Sequence, residues 1–307
     1  MIICALLTRW NRILINTAGS GKTRLGLHGL CEYWGFYGVV GQASDGIGSG
    51  DFWDLLSSLD DCLDYRRAQS RGSQNDSAAL HMHEKVQHRV LQFLLARFLL
   101  LNLLIAEAFK SEEGLRPSDH RLLWVLLQAR PTDILKKDAF MELAEALQIS
   151  SVKDLKTQIK EEYLKLEPVL TSESVNHSAT GQPTRRPLYC FLDEIQSTTA
   201  IRMGEYRSDD KKKERPLLRP IWQTMTEVLK STEMLLILSG TALNESSLQN
   251  VLTSSVFKIR PYTIQRDIGA FDDPNSQRRY IERYLPNEQS AARSDFLKRA
   301  WEWCRGR

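Results

Sequence analysis

The sequence predicts an α/β fold: a mainly parallel sheet flanked by helices, with a helical insertion between two of its strands. Three observations predict it. Ile13 to Val40 reads as strand, glycine-rich loop, helix and strand, the βαβ unit that lays successive strands parallel. Leu188 to Leu192 is an apolar run that ends in two adjacent carboxylates, Asp193 and Glu194. Glu233 to Leu238 is another buried-strand run, ending in Ser239, Gly240 and Thr241.

The first stretch carries the chemistry. Ile13, Leu14 and Ile15 suit a buried strand. Asn16, Thr17, Ala18, Gly19, Ser20, Gly21, Lys22 and Thr23 (NTAGSGKT) read as a phosphate-binding loop. Glycine lacks a Cβ, so Gly19 and Gly21 allow positive φ and let N–H groups turn inward around phosphate oxygens. Lys22 would reach the β- and γ-phosphates, and the Thr23 hydroxyl would bind Mg²⁺. The helix opening at Lys22, with Arg24 in its first turn, points its positive dipole end at the same anion. The usual pattern begins with Gly, and here Asn16 stands in that place. Asn tolerates the left-handed region better than most residues, so it is expected to substitute on that ground. Leu25, Leu27, Leu30 and Cys31 recur at helical spacing, Gly35 ends the helix, and Gly35 to Val40 is the next strand.

Ser44 to Asp51 is a second glycine-rich loop without a Lys-Ser/Thr pair, read as a turn, and Phe52 to Leu63 as a helix. Tyr65 to Ala79 is polar and reads as a surface loop. His81, His83 and His88 are not spaced to converge on a metal and read as a solvated helix start. Val86 to Phe109 is apolar nearly all round, the pattern of a helix buried between others. Gln92, Arg97 and Asn102 interrupt it short of the ~20 apolar residues a membrane span needs. His120 to Ala129 is apolar and of ambiguous type, readable as a strand of the same sheet. Asp138 to Leu147 and Ser151 to Leu166 read as amphipathic helices, and Thr171 to Arg186 as a loop. The interval from Lys22 to Asp193 is long for a minimal core, so these helices are expected to form an insertion over about 80–170.

The Asp-Glu strand supplies what a nucleotide hydrolase needs opposite its loop. Asp193 would hold Mg²⁺ through water. Glu194 would orient and polarise the attacking water as general base. A polar group at the tip of the neighbouring strand fits a sensor of the terminal phosphate; Ser239 and Thr241 are equal candidates, with Asn244 behind. Arg202 to Pro216 reads as a charge-rich mobile loop and Pro220 to Leu229 as a helix. Phe257 to Arg260 reads as a last strand, and Gln277 to Tyr284 and Ala292 to Trp303 as helices. Arg260, Arg278, Arg279 and Arg283 are the choices for an arginine finger, and the residues do not choose among them.

Composition bounds the rest. The chain has 307 residues, 42% hydrophobic and 26% charged, as in a globular protein of one large or two medium domains. A net charge of +3 argues neither for nor against nucleic acid. Cys4, Cys31, Cys62, Cys190 and Cys304 show no zinc or disulfide spacing, which points to a reducing, intracellular compartment. Ile2 to Leu7 is apolar but has neither a basic start nor a cleavage site, so no signal peptide is expected.

NTAGSGKTRLGLHGLCEYWGFYG, the GSGD loop, PLYCFLDEIQ, the SGT turn, DIGAFDDPNSQRRYIERYLP and the closing RGR resemble a set of fungal P-loop proteins labelled Crinkler-like. The resemblance covers Ile13 to Arg307. That module is similar to AAA+/STAND-type ATPases, so the resemblance implies a P-loop NTPase fold, ATP binding by Lys22 and Thr23, and Asp193 and Glu194 at Mg²⁺ and water. The ubiquitin-like header and the nuclease constellation of Crinkler effectors have no counterpart in this sequence. Secretion and DNA-damaging activity therefore do not transfer. The expected division is a P-loop NTPase domain over 1–270 and a C-terminal helical segment over 271–307 that continues in a longer chain. The expected function is an ATP-binding, Mg²⁺-dependent ATP-hydrolysing switch that works through a protein partner or self-association, without a membrane. The alternatives are a non-hydrolysing nucleotide-binding scaffold and, with less support, a DNA-directed effector ATPase.

Overall fold

The computed structural model describes residues 11–16, 19–41, 46–54, 56–57, 75–110, 116–172, 187–200, 206–207, 214–215, 217–241, 262–266, 273–282 and 291–304. The sheet is built from β1 (Asn11–Ile15), β2 (Gly35–Val39), β3 (Tyr189–Asp193), β6 (Leu235–Gly240) and β7 (Tyr262–Gln265). Its order is β2-β3-β6-β1-β7, and every pairing is parallel. Parallel strands put all their carboxyl ends on one edge, and that is where ligands bind in open α/β sheets. One strand, β6, separates β1 from β3.

Strand alternation divides the core in two. Ile13, Phe36, Cys190, Leu192, Leu236 and Leu238 face one side. Leu14, Tyr37, Val39, Tyr189, Phe191, Leu235 and Ile237 face the other. Both sides are apolar because both are covered, as parallel sheets require. The first side is covered by α2 (Asn75–Lys110), which packs against α6 (Val152–Ser172) and α8 (Leu218–Thr232). The second carries α1 (Lys22–Glu32), which packs on α3 (Pro117–Ala129).

Between β2 and β3 the chain inserts α2, α3, α4 (Pro131–Leu135), α5 (Ala139–Ala146), a 3₁₀ turn (Leu147–Ile149) and α6. Asp138 caps α5, accepting from the N–H groups of Phe140 and Met141. Within α2, His83–Ala108 is long and apolar enough to cross a bilayer by composition. More than half of it is buried within the protein, and Val90, Leu91, Phe93, Leu94, Leu95 and Phe98 are sealed in the core. It is a core helix, as its all-round apolarity predicts.

The ambiguous segment 120–129 is α3, not a strand. Pro117 starts it, and the Asp119 carboxylate accepts the Arg116 N–H at 3.2 Å. It lies along the outer edge of β2. Trp124 Nε1 and Gln128 Nε2 donate to the Gly35 carbonyl at 2.7 and 3.2 Å, and Tyr37 N–H donates to Gln128 Oε1 at 2.8 Å. Side chains thus satisfy the backbone groups that an edge strand leaves open.

Two further expectations are corrected. The long helix begins at Asn75, inside the stretch read as a surface loop. The charge-rich stretch 202–216 contains a two-stranded antiparallel ribbon, β4 (Tyr206–Arg207) with β5 (Glu214–Arg215). After β7 come α9 (Pro274–Ile281) and α10 (Ala291–Cys304). The short helix α7 (Gln196–Ala200) follows β3 directly. Ile2 to Leu7 and Phe257 to Arg260 lie outside the described residues.

Close packing of α1 on the sheet depends on Gly26. A Cβ there would sit 2.4–2.6 Å from the Phe191 ring. Gly26→Ala gains helix propensity, about 1 kcal/mol, but overpacks a buried ring at a cost of about 1–3 kcal/mol. The net expectation is a lowered midpoint in denaturant unfolding. An unchanged or raised midpoint would show that α1 can lift from β3 without penalty.

Candidate functional site

The carboxyl ends of β1, β3 and β6 converge. Register places Leu14 beside Ser239 and Ile15 beside Gly240, while Leu192 pairs with Leu238. Beyond β1 the chain turns through a glycine loop. Gly19 and Gly21 hold φ of 74° and 83°, a region that L side chains rarely adopt. Both would-be Cβ positions face open space, so glycine is needed here for its backbone angles. Gly21 is the N-cap of α1, no side chain caps that end, and no acidic residue lies in the first turn. The positive end of the helix dipole therefore meets the loop without a carboxylate from its own first turn.

Lys22 is 5% exposed and folds back over the loop, donating to the Asn16 carbonyl at 2.9 Å and toward Ser20 Oγ at 3.4 Å. Burial lowers the pKa of its ammonium, and the carboxylates of Asp193 and Glu194 work against that shift. Thr23 donates its hydroxyl to Asp193 Oδ2 at 2.5 Å, across 170 positions of sequence. Asp193 is 1% exposed, and its other oxygen accepts the Glu194 N–H at 3.0 Å. The structure thus brings Lys22, Thr23 and Asp193 together. Arg24 is exposed on the first turn of α1. Thr17 and Ala18 lie outside the described residues.

Asn16 departs from its expected role. It is not among the residues with positive φ. Its side chain donates to the Arg266 carbonyl at 2.9 Å, just past β7. Glycine could not make that bond. Asn16 therefore anchors the mouth of the loop to the sheet's last strand, and its own carbonyl holds Lys22.

Glu194 adopts φ 58°, a costly angle for a residue with a Cβ, about 1–3 kcal/mol. Its carboxylate Oε2 accepts from Gln196 Nε2, and Gln196 Oε1 accepts the Thr241 N–H at 3.1 Å. Ser239 is fully buried, and its hydroxyl has no hydrogen-bond partner among the described residues. Leaving such a group unpaired costs about 1–3 kcal/mol. Thr241, its equal by sequence, sits at the strand's end with its backbone N–H committed to Gln196.

Gln196 was invisible to motif reasoning, which stops at the two acids. Its position two residues beyond Glu194 was the only signal. Asn244, Arg260 and Arg283 fall outside the described residues. Arg278 and Arg279 lie on the exposed side of α9.

Comparison with family models, curated proteins and solved structures finds no match. The site must be read from its own chemistry.

The donor set suits a hard cation. Thr23 and Asp193 offer hydroxyl and carboxylate oxygens, and no cluster of three or more acidic, His or Cys ligands occurs among the described residues. A metal bound here would need oxygens from a ligand and water. Mg²⁺ is usually held in that way, by one or two protein oxygens plus substrate phosphates.

Proposed function

We propose that this chain binds Mg²⁺·ATP and hydrolyses it, as a regulatory switch module of the AAA+/STAND-type P-loop class. The observation that carries the reading is the Thr23–Asp193 hydrogen bond. It joins the glycine loop to the Asp-Glu strand end, beside a buried lysine and a buried unpartnered hydroxyl.

Each residue then has a task. The loop and the uncapped end of α1 surround the phosphates. Lys22 leaves the Asn16 carbonyl for the β- and γ-phosphate oxygens, and phosphate charge offsets the burial that now disfavours its ammonium. Thr23 and Asp193 are the residues that would hold the metal. Mg²⁺ held there would supply neutralisation of the charge that develops on the transferring phosphoryl group. Glu194 takes a proton from the attacking water. Ser239, whose hydroxyl has no partner among the described residues, donates to the terminal phosphate or to that water.

Chelating Mg²⁺ tests the reading. ATP turnover is expected to fall to background in excess chelator and to return when Mg²⁺ is restored. Undiminished hydrolysis without metal would contradict the roles of Thr23 and Asp193.

A further inference from the structure

The carboxylate of Glu194 is not free to choose its direction. Its backbone lies at φ 58°. Its carbonyl accepts from the Ser197 hydroxyl at 2.6 Å and the Ser197 N–H at 3.3 Å. Gly41 packs against the same turn, where a Cβ would stand 2.7 Å from Ser197 Oγ and 3.3 Å from the Glu194 Cβ. The turn therefore fixes the backbone and Cβ of Glu194, and the direction of the carboxylate is left to its side-chain partner.

One carboxylate oxygen, Oε2, is held by Gln196 Nε2. The amide's other end accepts the Thr241 N–H at 3.1 Å. A backbone N–H can only donate, so the amide orientation is determined: its oxygen faces Thr241 and its NH₂ faces Glu194. The Ile195 N–H reaches the Ser239 carbonyl at 3.0 Å. The residues just after Asp193 are thus tied twice to the tip of β6, beside the unpartnered Ser239 hydroxyl.

We propose that Gln196 is a positioning residue that sets the aim of the Glu194 carboxylate from the tip of β6. It holds Oε2 and leaves Oε1 to take the attacking water. A base whose orientation is fixed by a third group is a recurrent device in catalysis. Here the third group is itself held by the strand end that carries Ser239. Engagement of Ser239 by a terminal phosphate would thereby reach the base through Thr241 and Gln196. The inference rests on the ATP-hydrolysing reading above.

The test compares the full chain with Gln196→Met and Gln196→Glu. Met removes both hydrogen bonds at similar volume. Glu keeps an acceptor for the Thr241 N–H and loses the donor to Glu194. Mg²⁺·ATP affinity by titration and kcat by phosphate release are measured for each. The expected result is unchanged Kd with kcat lowered on the order of 10²-fold, the scale of a small misplacement of a catalytic group. In a Glu194→Gln background, Gln196→Met is expected to add no further loss, because it acts only through that carboxylate. If Met fails to fold, the Glu variant alone decides. Full kcat in a folded variant, or a loss that adds to that of Glu194→Gln, overturns the role while leaving the ATPase reading intact. A wild-type chain that binds Mg²⁺·ATP and never turns it over overturns both.

Discussion

Arg97→Ala is expected to destabilise the protein by about 3–5 kcal/mol, the cost of stranding one member of a buried ion pair. Arg97 and Asp51 are both fully buried and paired through two nitrogens, one at 3.1 Å. The same guanidinium donates from Nε to the Tyr37 carbonyl at 3.1 Å, on the outer edge of β2, and lies 3.7 Å above the Phe93 ring. Asp51 meanwhile accepts the Phe52 N–H at 2.8 Å, and its own N–H donates to Ser49 Oγ at 3.1 Å. One side chain of α2 therefore ties the second glycine-rich loop to the sheet. Truncating it leaves a carboxylate in the core without a counter-charge and a carbonyl without a donor. Against a total stability of about 5–15 kcal/mol, that loss is a large share. Denaturant unfolding measures it. Exchanging both partners for apolar residues of similar volume is expected to cost less than Arg97→Ala alone. A single variant with wild-type stability would mean that water reaches Asp51.

Glu194→Gln is expected to lower ATP turnover by about 10²–10⁴-fold, the contribution of a positioned general base, while Mg²⁺·ATP binding persists. The substitution keeps size and an acceptor oxygen for Gln196 and removes only the ability to take a proton. Single-turnover hydrolysis measured beside equilibrium binding separates the two effects. Turnover at the wild-type rate would transfer the base role elsewhere.

Four of the sheet's five strands were readable as short apolar runs, as at Ile13 to Ile15 and Leu188 to Leu192; β7, half-exposed at the sheet's edge, was not. Their pairing was legible only where β6 was expected beside the Asp-Glu strand. Nothing local says that β6 inserts between β1 and β3, since parallel neighbours are chosen by the packing of distant elements. The segment 120–129 shows why periodicity failed. Leu122, Leu123 and Leu126 remain exposed on the helix while Trp124 and Gln128 turn inward to the edge of β2. Apolar residues on both faces conceal whether the period is 2 or 3.6. At the site, the convergence of Lys22, Thr23 and Asp193 was legible from motif chemistry. The roles of Asn16 and Gln196 were not, because each depends on a single long side chain meeting a backbone group far away in sequence or at another strand's end. Asn16 reaches Arg266, and Gln196 reaches Thr241. The buried pair of Arg97 and Asp51 was hidden in the same way, one member read as an interruption of an apolar helix and the other as the end of a turn.

The most direct measurement of the central claim is a calorimetric titration of Mg²⁺·ATP into the wild-type chain and into Lys22→Ala. The account predicts saturable binding to the wild type and its loss in the variant, with both proteins equally folded. A folded wild-type chain that takes up no nucleotide, or a Lys22→Ala variant that binds as tightly as wild type, would contradict the assignment of the loop from Asn16 to Thr23 as the phosphate site.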